Sequence, residues 1–174
     1  MSEDLRFRFP LAVIDFEATA LSLESWPIEV GIAVAPSPDG PVEIWSSLIL
    51  PDPAWDIAAQ WDPDAQRVHG INRRDLRDGR APAGVLAELN ARLEPPWQVW
   101  CDGGPYDRHW LDCLVNAAGI PPRFELVDLA VATRQDNALR GRYRDALTGS
   151  PPHRAGPDAE RICRALLQAL RQAG

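Results

Sequence analysis

The stretch LAVIDFE, residues 11–17, decides how the fold of this chain is interpreted. An apolar run that ends in acids is typical of a buried strand that delivers side chains to a site. Because side chains alternate along a strand, Asp15 and Glu17 are predicted to lie beside each other on one face of the sheet. Two solvated acids at a strand end are the ordinary alternative. A buried acid without a partner is costly, however, so the apolar residues before Asp15 favour a cation between the two carboxylates.

The elements that follow predict a mixed sheet. The segments PIEVGIAVA (27–35) and VEIWSSLIL (42–50) are separated by turn-forming residues, so with the first strand they predict an antiparallel meander. Two more strands are expected at 97–101 and 124–127. Helices are expected at 82–93, 106–118, about 128–134 and from about Pro157 onward, and 140–152 is expected to be a loop. The predicted fold class is α/β, with three antiparallel and then parallel strands in a five-stranded sheet flanked by helices, in a single domain over 1–174.

The composition restricts how this chain could meet a polyanion. With 18 Lys and Arg against 25 Asp and Glu, the net charge is −7, which excludes a broad basic surface that coats nucleic acid. Any such contact is expected to be small and metal-mediated. The three cysteines are too few for a disulfide framework and are expected to be reduced, mostly buried thiols. The opening MSEDLRFRFP lacks the apolar region of a signal peptide, and no apolar run approaches the ~20 residues that span a bilayer, so a soluble cytoplasmic protein without membrane contact is expected.

Two more acidic features lie far along the chain. Asp107 ends WCDGGPYD (100–107), where a strand and a glycine turn lead into a predicted helix. Taken alone, an aspartate that favours the helix start is the ordinary interpretation. His153 stands five residues before Asp158, astride the start of the last helix, which can place both side chains at one rim. Taken alone, that segment is explained by an exposed loop histidine and a first-turn aspartate. The specific signal is the conjunction of all three features.

In this order and at these separations, DxE, a Tyr-Asp that opens a helix, and HxxxxDA resemble the DEDD superfamily of 3′–5′ exonucleases, in its histidine-bearing (DEDDh) branch. Smaller features agree, because Glu29 resembles the acid that the family keeps on its second strand, and VHGI (68–71) and VDL (127–129) resemble two other family motifs. The motif DFEAT (15–19) is most similar to that of the enhanced-RNA-interference type of exoribonuclease. The resemblance covers nearly the whole chain and implies a ribonuclease H-like fold.

The chain departs from the family pattern in two places. Gly103 stands where many relatives have Asn, four residues before the acid of the second motif, and Asp102 precedes it. Gly156-Pro157 precede the last aspartate, where relatives often have helix-compatible residues. Both departures leave the carboxylates intact and concern the loop around His153 and the substrate preference.

The resemblance implies a two-metal hydrolysis of phosphodiester bonds. Two divalent ions ~3.5–4 Å apart would activate water and relieve the charge on the phosphate. Hard oxygen ligands point to two Mg²⁺, with Mn²⁺ able to substitute. The metal ligands would be Asp15, Glu17, Asp107 and Asp158. His153 would be the general base, a task that suits an ordinary histidine pKa near ~6.5.

The resemblance also suggests where a terminal nucleotide would bind. Backbone donors and an apolar wedge are expected from Ala18, Thr19 and Leu21. Candidate stacking surfaces are Trp26, Trp61 and His69. For each tryptophan, simple packing is the ordinary alternative. Side chains that could meet phosphates, or simply form a solvated face, are Arg108, Arg140, Arg142 and Arg144.

The predicted function is a metal-dependent 3′–5′ exonuclease that acts on single-stranded RNA or short oligonucleotides and releases nucleoside 5′-monophosphates. The alternatives are a DNA exonuclease of the trimming or proofreading type, a non-catalytic nucleic-acid-binding module of the same fold, and a carboxylate site of another chemistry such as a phosphatase. The expected partners are the 3′ ends of single-stranded RNA or DNA. Homodimers are common among relatives, although no exposed apolar face in this sequence demands one.

Overall fold

The computed structural model describes residues 7–93, 97–134 and 136–172. Residues 1–6, on which the expectation of no signal peptide partly rests, lie outside this range. No helix in the described part of the chain is long and apolar enough to cross a membrane.

Five strands form one mixed sheet. They are β1 (Leu11–Ala18), β2 (Pro27–Ala35), β3 (Glu43–Leu48), β4 (Trp97–Cys101) and β5 (Phe124–Asp128), in the order β3-β2-β1-β4-β5. The first three strands pair antiparallel, and β4 and β5 extend the sheet in parallel from β1. The predicted meander and mixed sheet are therefore confirmed. Because β1 is the central strand, the acids at its C-terminal end lie midway between the two outer strands.

Helices cover both faces of this sheet. In the described residues they are α1 (Pro63–His69), α2 (Pro82–Arg92), α3 (Pro105–Ala118), α4 (Leu129–Ala132), α5 (Asn137–Ala146) and α6 (Ala155–Arg171), with a 3₁₀ turn at Asp75–Asp78. Side chains of α2 and α3 form one core with Ala12, Ile14 and Phe16 of β1. Side chains of α5 and α6 form a second core with Leu11 and Val13 on the opposite face. Thus β1 is buried on both sides, as its composition predicts.

Several predicted bounds hold to within one or two residues. Helix α3 ends at Ala118; Gly119 after it adopts a left-handed φ of 67° and donates its backbone N–H to the Val115 carbonyl, a common C-terminal arrangement. Helix α4 is only four residues long, and the Asp128 carboxylate caps it by accepting from the Ala130 backbone N–H. All three cysteines are free and buried, as expected.

The expectation of a loop over 140–152 is wrong for its first half, which belongs to α5. The Asp136 carboxylate accepts from the Leu139 backbone N–H and so caps the helix. Leu139 and Tyr143, one turn apart, are buried in the core that α5 shares with α6. Arginine is a good helix former, so an arginine-rich segment with two buried side chains needs only a partner surface to become helical.

Helix α6 begins at Ala155, two residues before the predicted start at Pro157. Pro157 still lies in the first turn, where its missing N–H leaves no hydrogen bond unmade. The earlier start follows from a contact with β2, since the Ala155 backbone N–H donates to Glu29 Oε2 at 3.0 Å. The first N–H groups of a helix have no carbonyl partner within the helix, so the buried Glu29 carboxylate satisfies the Ala155 N–H.

Candidate active site

Three carboxylates converge where β1 ends. One oxygen each of Asp15, Glu17 and Asp158 lies within 4.8 Å of the other two, an arrangement that could hold a metal ion. Asp15 and Glu17 share a face of β1, and Asp158 comes from the first turn of α6. The structure therefore brings together residues that are more than 140 positions apart in the sequence.

The electrostatics of these acids show a deficit of positive charge. Burial, reinforced by Asp107 and Glu17, raises the pKa of Asp15 well above its ordinary value. Burial, then Asp158 and Glu29, raises the pKa of Glu17 to about 8, and Arg154 offsets only part of that rise. Acids placed in this way repel one another unless a cation or a proton lies between them. Hard oxygen donors of this number suit a divalent ion such as Mg²⁺ or Mn²⁺.

Asp107 lies beside this cluster without being one of its three members. It occupies the first turn of α3, is only 1% exposed, and contributes to the raised pKa of Asp15. Its carboxylate accepts from the Gly103 backbone N–H at 3.0 Å, which holds the turn before α3 but does not cap a backbone N–H of the helix itself. Burial raises its pKa to about 7 despite that hydrogen bond, and Asp102 adds to the rise.

Gly103 has a steric reason to be glycine. A Cβ atom at this position would lie 2.7–2.9 Å from the carboxylate atoms of Asp107, closer than real Cβ atoms approach. The next acid in sequence, Asp102, accepts a 3.4 Å hydrogen bond from the Tyr143 hydroxyl of α5. The departure from the family pattern at this loop thus leaves Asp107 held by the backbone, with an additional acid at the rim.

His153 lies at the entrance to α6, half-buried, between the proline pair and Arg154. Its φ of 55° is the left-handed conformation, which residues with a Cβ atom rarely adopt. Within the described residues its ring makes no hydrogen bond, and it is not one of the three clustered ligands. Its role as general base stays a prediction, made from the resemblance.

The predicted substrate-binding residues differ in their exposure. Ala18 and Thr19 are buried, and Thr19 exchanges hydrogen bonds with the backbone of Trp26. Leu21 is 71% exposed beside them. The Trp26 ring stacks on Trp55 with centroids 5.5 Å apart and an interplanar angle of 9°. This loop therefore presents an exposed apolar side chain, as a wedge would require.

His69 and Trp61 make well-defined internal contacts. His69 is 5% exposed, its Nδ1 accepts from the Ile71 backbone N–H, and its ring meets Trp61 edge to face. Trp61 Nε1 donates to Gln66 Oε1 at 2.7 Å, and the Arg73 guanidinium lies over the same ring. Packing accounts for these contacts, and a substrate role for His69 stays a prediction.

The arginines proposed to meet phosphates separate into two kinds. Arg142 donates through Nε to the Ala169 carbonyl, and Arg108 donates to the Leu126 carbonyl, so both hold elements together. Arg140 and Arg144 are exposed on α5. The structure thus leaves only the last two available as a solvated basic face.

One pair of residues near the site was not assigned a role from the sequence. Glu29, opposite Glu17 in the β1–β2 register, receives two hydrogen bonds from the Arg154 guanidinium, to Oε2 at 2.9 Å and to Oε1 at 2.6 Å. The Glu29 side chain is 4% exposed. An acid placed between apolar residues of a strand was the available signal, but its partner is 125 positions away and no local pattern indicates it.

Comparison with known proteins supports the fold. No protein-family model matches the chain, and no curated protein matches it. Among solved structures, a full-length 3′-exonuclease matches with a TM-score of 0.71 and 14% identity, over 95% of this chain and 62% of that one. E. coli exonuclease I in complex with a dA16 oligonucleotide matches with a TM-score of 0.70 and 17% identity, over 94% of this chain and 41% of that one. The zinc-ion-bound form of an E. coli exonuclease I–single-stranded DNA complex matches with a TM-score of 0.69 and 16% identity.

These similarities concern the fold. The chain spans about 62% of the first neighbour and 41% of the second, and the sequence identities are low. The predicted ribonuclease H-like sheet is confirmed, and the chain has the fold of known 3′-exonucleases.

Proposed function

We propose that this chain is a divalent-metal-dependent 3′–5′ exonuclease of the DEDDh type that hydrolyses single-stranded RNA or short oligonucleotides to nucleoside 5′-monophosphates. The observation that carries the proposal is the convergence of Asp15, Glu17 and Asp158, with Asp107 beside them, in a fold shared with 3′-exonucleases. A binding module of the same fold would have no need of four acids placed so close together that the pKa values of Asp15, Glu17 and Asp107 are raised.

The acids would divide the work of holding two Mg²⁺ or Mn²⁺ ions. Asp15, Glu17 and Asp158 would hold one ion, and Asp107, with Asp15 as the shared ligand, would hold the other. Such a pair of ions lowers the pKa of water and stabilises the attacking and leaving oxygens of a phosphodiester. The raised pKa values of Glu17 and Asp107 mean that ion binding near neutral pH displaces protons from the site.

His153 would accept the proton of the attacking water at a ring nitrogen. The half-buried ring has no internal hydrogen bond in the described part of the chain, so a nitrogen is free to accept. Its left-handed backbone directs the chain from the preceding loop into α6, next to the turn that carries Asp158. A base must come within about 2.6–3.2 Å of the water it deprotonates, so the aim of this loop governs the rate.

The 3′-terminal nucleotide would enter beside the loop between β1 and β2. Leu21 is its most exposed apolar side chain and would wedge against the last base, and the stacked rings of Trp26 and Trp55 would offer a second surface to it. Stacking on aromatic rings tolerates any base, which suits an exonuclease that advances along a strand. Because the net charge is −7, contacts with the nucleic acid would be limited to this small area and to the metal ions.

A DNA substrate is the second candidate. Two of the similar structures are complexes of exonuclease I with DNA, which favours a DNA substrate. The DFEAT motif, by its resemblance to exoribonucleases, favours an RNA substrate. Matched 5′-labelled RNA and DNA strands with Mg²⁺, Mn²⁺ or EDTA distinguish the two. We expect a ladder that descends from the 3′ end, abolished by EDTA and by Asp15→Asn. Absence of products from both strands with metal supplied, from protein with a cooperative unfolding transition, would refute the proposal.

Three accompanying proposals concern the state of the protein. We propose that residues 1–174 act as one domain, that the protein works in the cytoplasm, and that a homodimer is the oligomer to look for. Both cores are built on the two faces of a single sheet, which supports the first proposal. Free buried cysteines support a reducing compartment. Light scattering on the purified protein measures the third.

A further inference from the structure

The contact between Glu29 and Arg154 joins two segments that flank the carboxylate cluster. Both guanidinium donors reach the carboxylate, at 2.9 and 2.6 Å, and the Ala155 backbone N–H adds a third hydrogen bond at 3.0 Å. Such a two-pronged pair fixes the angle of the arginine as well as its distance. Glu29 is buried, with 4% of its side chain exposed, whereas 46% of the Arg154 side chain is exposed. The carboxylate therefore depends on this arginine for its compensation, more than the arginine depends on it.

Arg154 is also tied to the acid that completes the cluster. Its backbone N–H donates to Asp158 Oδ2 at 3.0 Å, and its carbonyl accepts from the Asp158 backbone N–H at 2.9 Å. A shift of Arg154 would therefore move one of the carboxylate oxygens available to an ion. His153 precedes Arg154 directly and holds a left-handed φ of 55°. Residues with a Cβ atom keep such a conformation only where their surroundings fix it.

The backbone at the start of α6 packs closely against β2 around this contact. Gly31 follows Glu29 by two positions and so faces the same side of β2. A Cβ atom on Gly31 would lie 2.2 Å from the Ala155 carbonyl carbon and from the Gly156 nitrogen. The first turn of α6 thus rests directly on β2, and the pair of hydrogen bonds from the Arg154 guanidinium to Glu29, called the fork below, ties the residue before that turn to the same strand. The Gly156 of the unusual Gly-Pro step is part of this close approach.

We propose that Glu29 and Arg154 are positioning residues for the hydrolysis. They orient His153 toward the substrate and Asp158 toward the metal, and contact neither substrate nor metal themselves. The inference rests on the proposed function. It assigns Arg154 an internal role, in which its charge compensates Glu29. From its position beside His153 alone, a contact with a substrate phosphate would be the more obvious role. Loss of the fork should lower kcat more than it raises KM, because the pair acts on His153 and Asp158 and not on the substrate directly.

A purely structural role for the pair predicts a different result. If the contact only anchored α6, then a replacement that restores stability would also restore activity. The double variant Glu29→Gln/Arg154→Met removes both charges at similar volume and keeps an amide oxygen that can accept from the Ala155 backbone N–H, so it should preserve stability. We expect this variant to unfold near the wild-type temperature and yet to keep a reduced kcat, since methionine cannot fix the direction of the His153 loop.

The kinetic test compares the double variant with Arg154→Lys, Glu29→Gln and a matched control, Arg164→Met. Arg164 is on α6 too and forms an exposed ion pair with Glu160, so its loss should leave kcat and KM unchanged. Loss of groups that orient metal ligands typically lowers activity by about 10–100-fold. We expect a fall of that size in kcat for Glu29→Gln and the double variant, and a smaller one for Arg154→Lys, which keeps the charge but loses the fork.

A second readout does not depend on activity. The chain has three histidines, so a ¹H–¹³C spectrum of protein labelled at the histidine ring Cε1 shows three resonances that single substitutions assign. His109, whose ring Nε2 donates to the Ser25 carbonyl at 2.9 Å, serves as an internal reference on α3. In Arg154→Lys we expect the His153 resonance to shift or broaden and the His109 resonance to stay in place.

The outcomes separate this inference from the proposed function. If the wild-type protein cleaves no strand, the proposed function fails, while the His153 resonance still tests whether the fork holds the loop. If the wild type cleaves and the double variant regains its full kcat, the pair is structural and the inference is overturned. An unchanged His153 resonance in Arg154→Lys overturns it as well.

Discussion

Removal of divalent metal should make the stability of this protein fall steeply as the pH rises. Burial, then Asp158 and Glu29, raises the pKa of Glu17 to about 8, and burial raises that of Asp107 to about 7. In the metal-free fold these acids keep protons that the unfolded chain has already lost. The free energy of unfolding therefore decreases with pH from the ordinary pKa of the unfolded chain up to the raised pKa of the fold, and levels off above it.

The expected size of the effect follows from Glu17. Its ordinary pKa of 4.5 and its value of about 8 in the fold correspond to about 5 kcal/mol between the protonated and ionised limits. At pH 7 about 3 kcal/mol of that is already lost. Because Asp15, Glu17 and Asp107 repel one another, their effects overlap and do not simply add. A loss of a few kcal/mol is a large part of the roughly 5–15 kcal/mol that holds a domain folded.

Metal should reverse this loss. An ion that binds only the folded protein stabilises it by about 2.7 kcal/mol at a hundredfold excess over its Kd. For a chain of this size that is a rise in Tm of about 5–10 °C. The gain should be larger at pH 8 than at pH 6, since at pH 6 protons compete for the same oxygens.

The assay is thermal unfolding followed by circular dichroism from pH 5.5 to 8.5, in EDTA, Mg²⁺ and Mn²⁺. Glu17→Gln is the matched variant, because a neutral amide of the same shape cannot ionise. We expect it to raise the Tm in EDTA at pH 8, to flatten the pH dependence, and to diminish the gain from metal. If Tm depends on pH in the same way for wild type and Glu17→Gln in EDTA, ionisation of Glu17 is not the cause of the loss of stability. A Tm that neither Mg²⁺ nor Mn²⁺ moves would refute the metal site itself.

Three further changes test other parts of the site. Gly31→Ala places a Cβ atom 2.2 Å from the Ala155 carbonyl carbon and should reduce the free energy of unfolding in urea by about 1–3 kcal/mol; wild-type stability would mean that α6 can move away from β2. Trp26→Ala removes half of the ring stack with Trp55 and should raise KM by about 10–100-fold with kcat nearly constant, whereas an unchanged KM would assign the stack to packing alone. His153→Gln should lower kcat by about 10²–10⁴-fold at an unchanged Tm, and a protein that keeps its rate must use another base.

The sheet could be predicted because its signals are local. The apolar run of β1 and the β-branched segments of β2 and β3 each fit within one strand, so these runs and the turn residues between them sufficed. Helix α5 could not be predicted in the same way. Its buried face consists of Leu139 and Tyr143, and the surface that covers them belongs to α6, which comes later in the chain. A helix that depends on a distant partner leaves little periodic trace in its own sequence.

The site was predictable to a similar degree. Asp15 and Glu17 follow from strand alternation alone, whereas Asp107 and Asp158 were indicated only by their order within a resemblance. The fork between Glu29 and Arg154 spans 125 positions, and its partners are ordinary residues for a strand and a loop. Contacts of this kind are set by how the elements pack, which no local spacing encodes.

The charge of Arg154 explains how an acidic protein could serve a polyanionic substrate. This arginine lies close enough to Glu17 to lower its pKa, yet burial, Asp158 and Glu29 outweigh that effect. Its guanidinium is held instead by Glu29, so the cluster keeps its negative potential and its demand for a cation. If an arginine neutralised the cluster directly, the site would bind phosphate weakly and no longer attract metal ions. With the arginine held aside, divalent ions would be the positive charge that a substrate meets, so on the proposed function binding and hydrolysis would depend on the same acids.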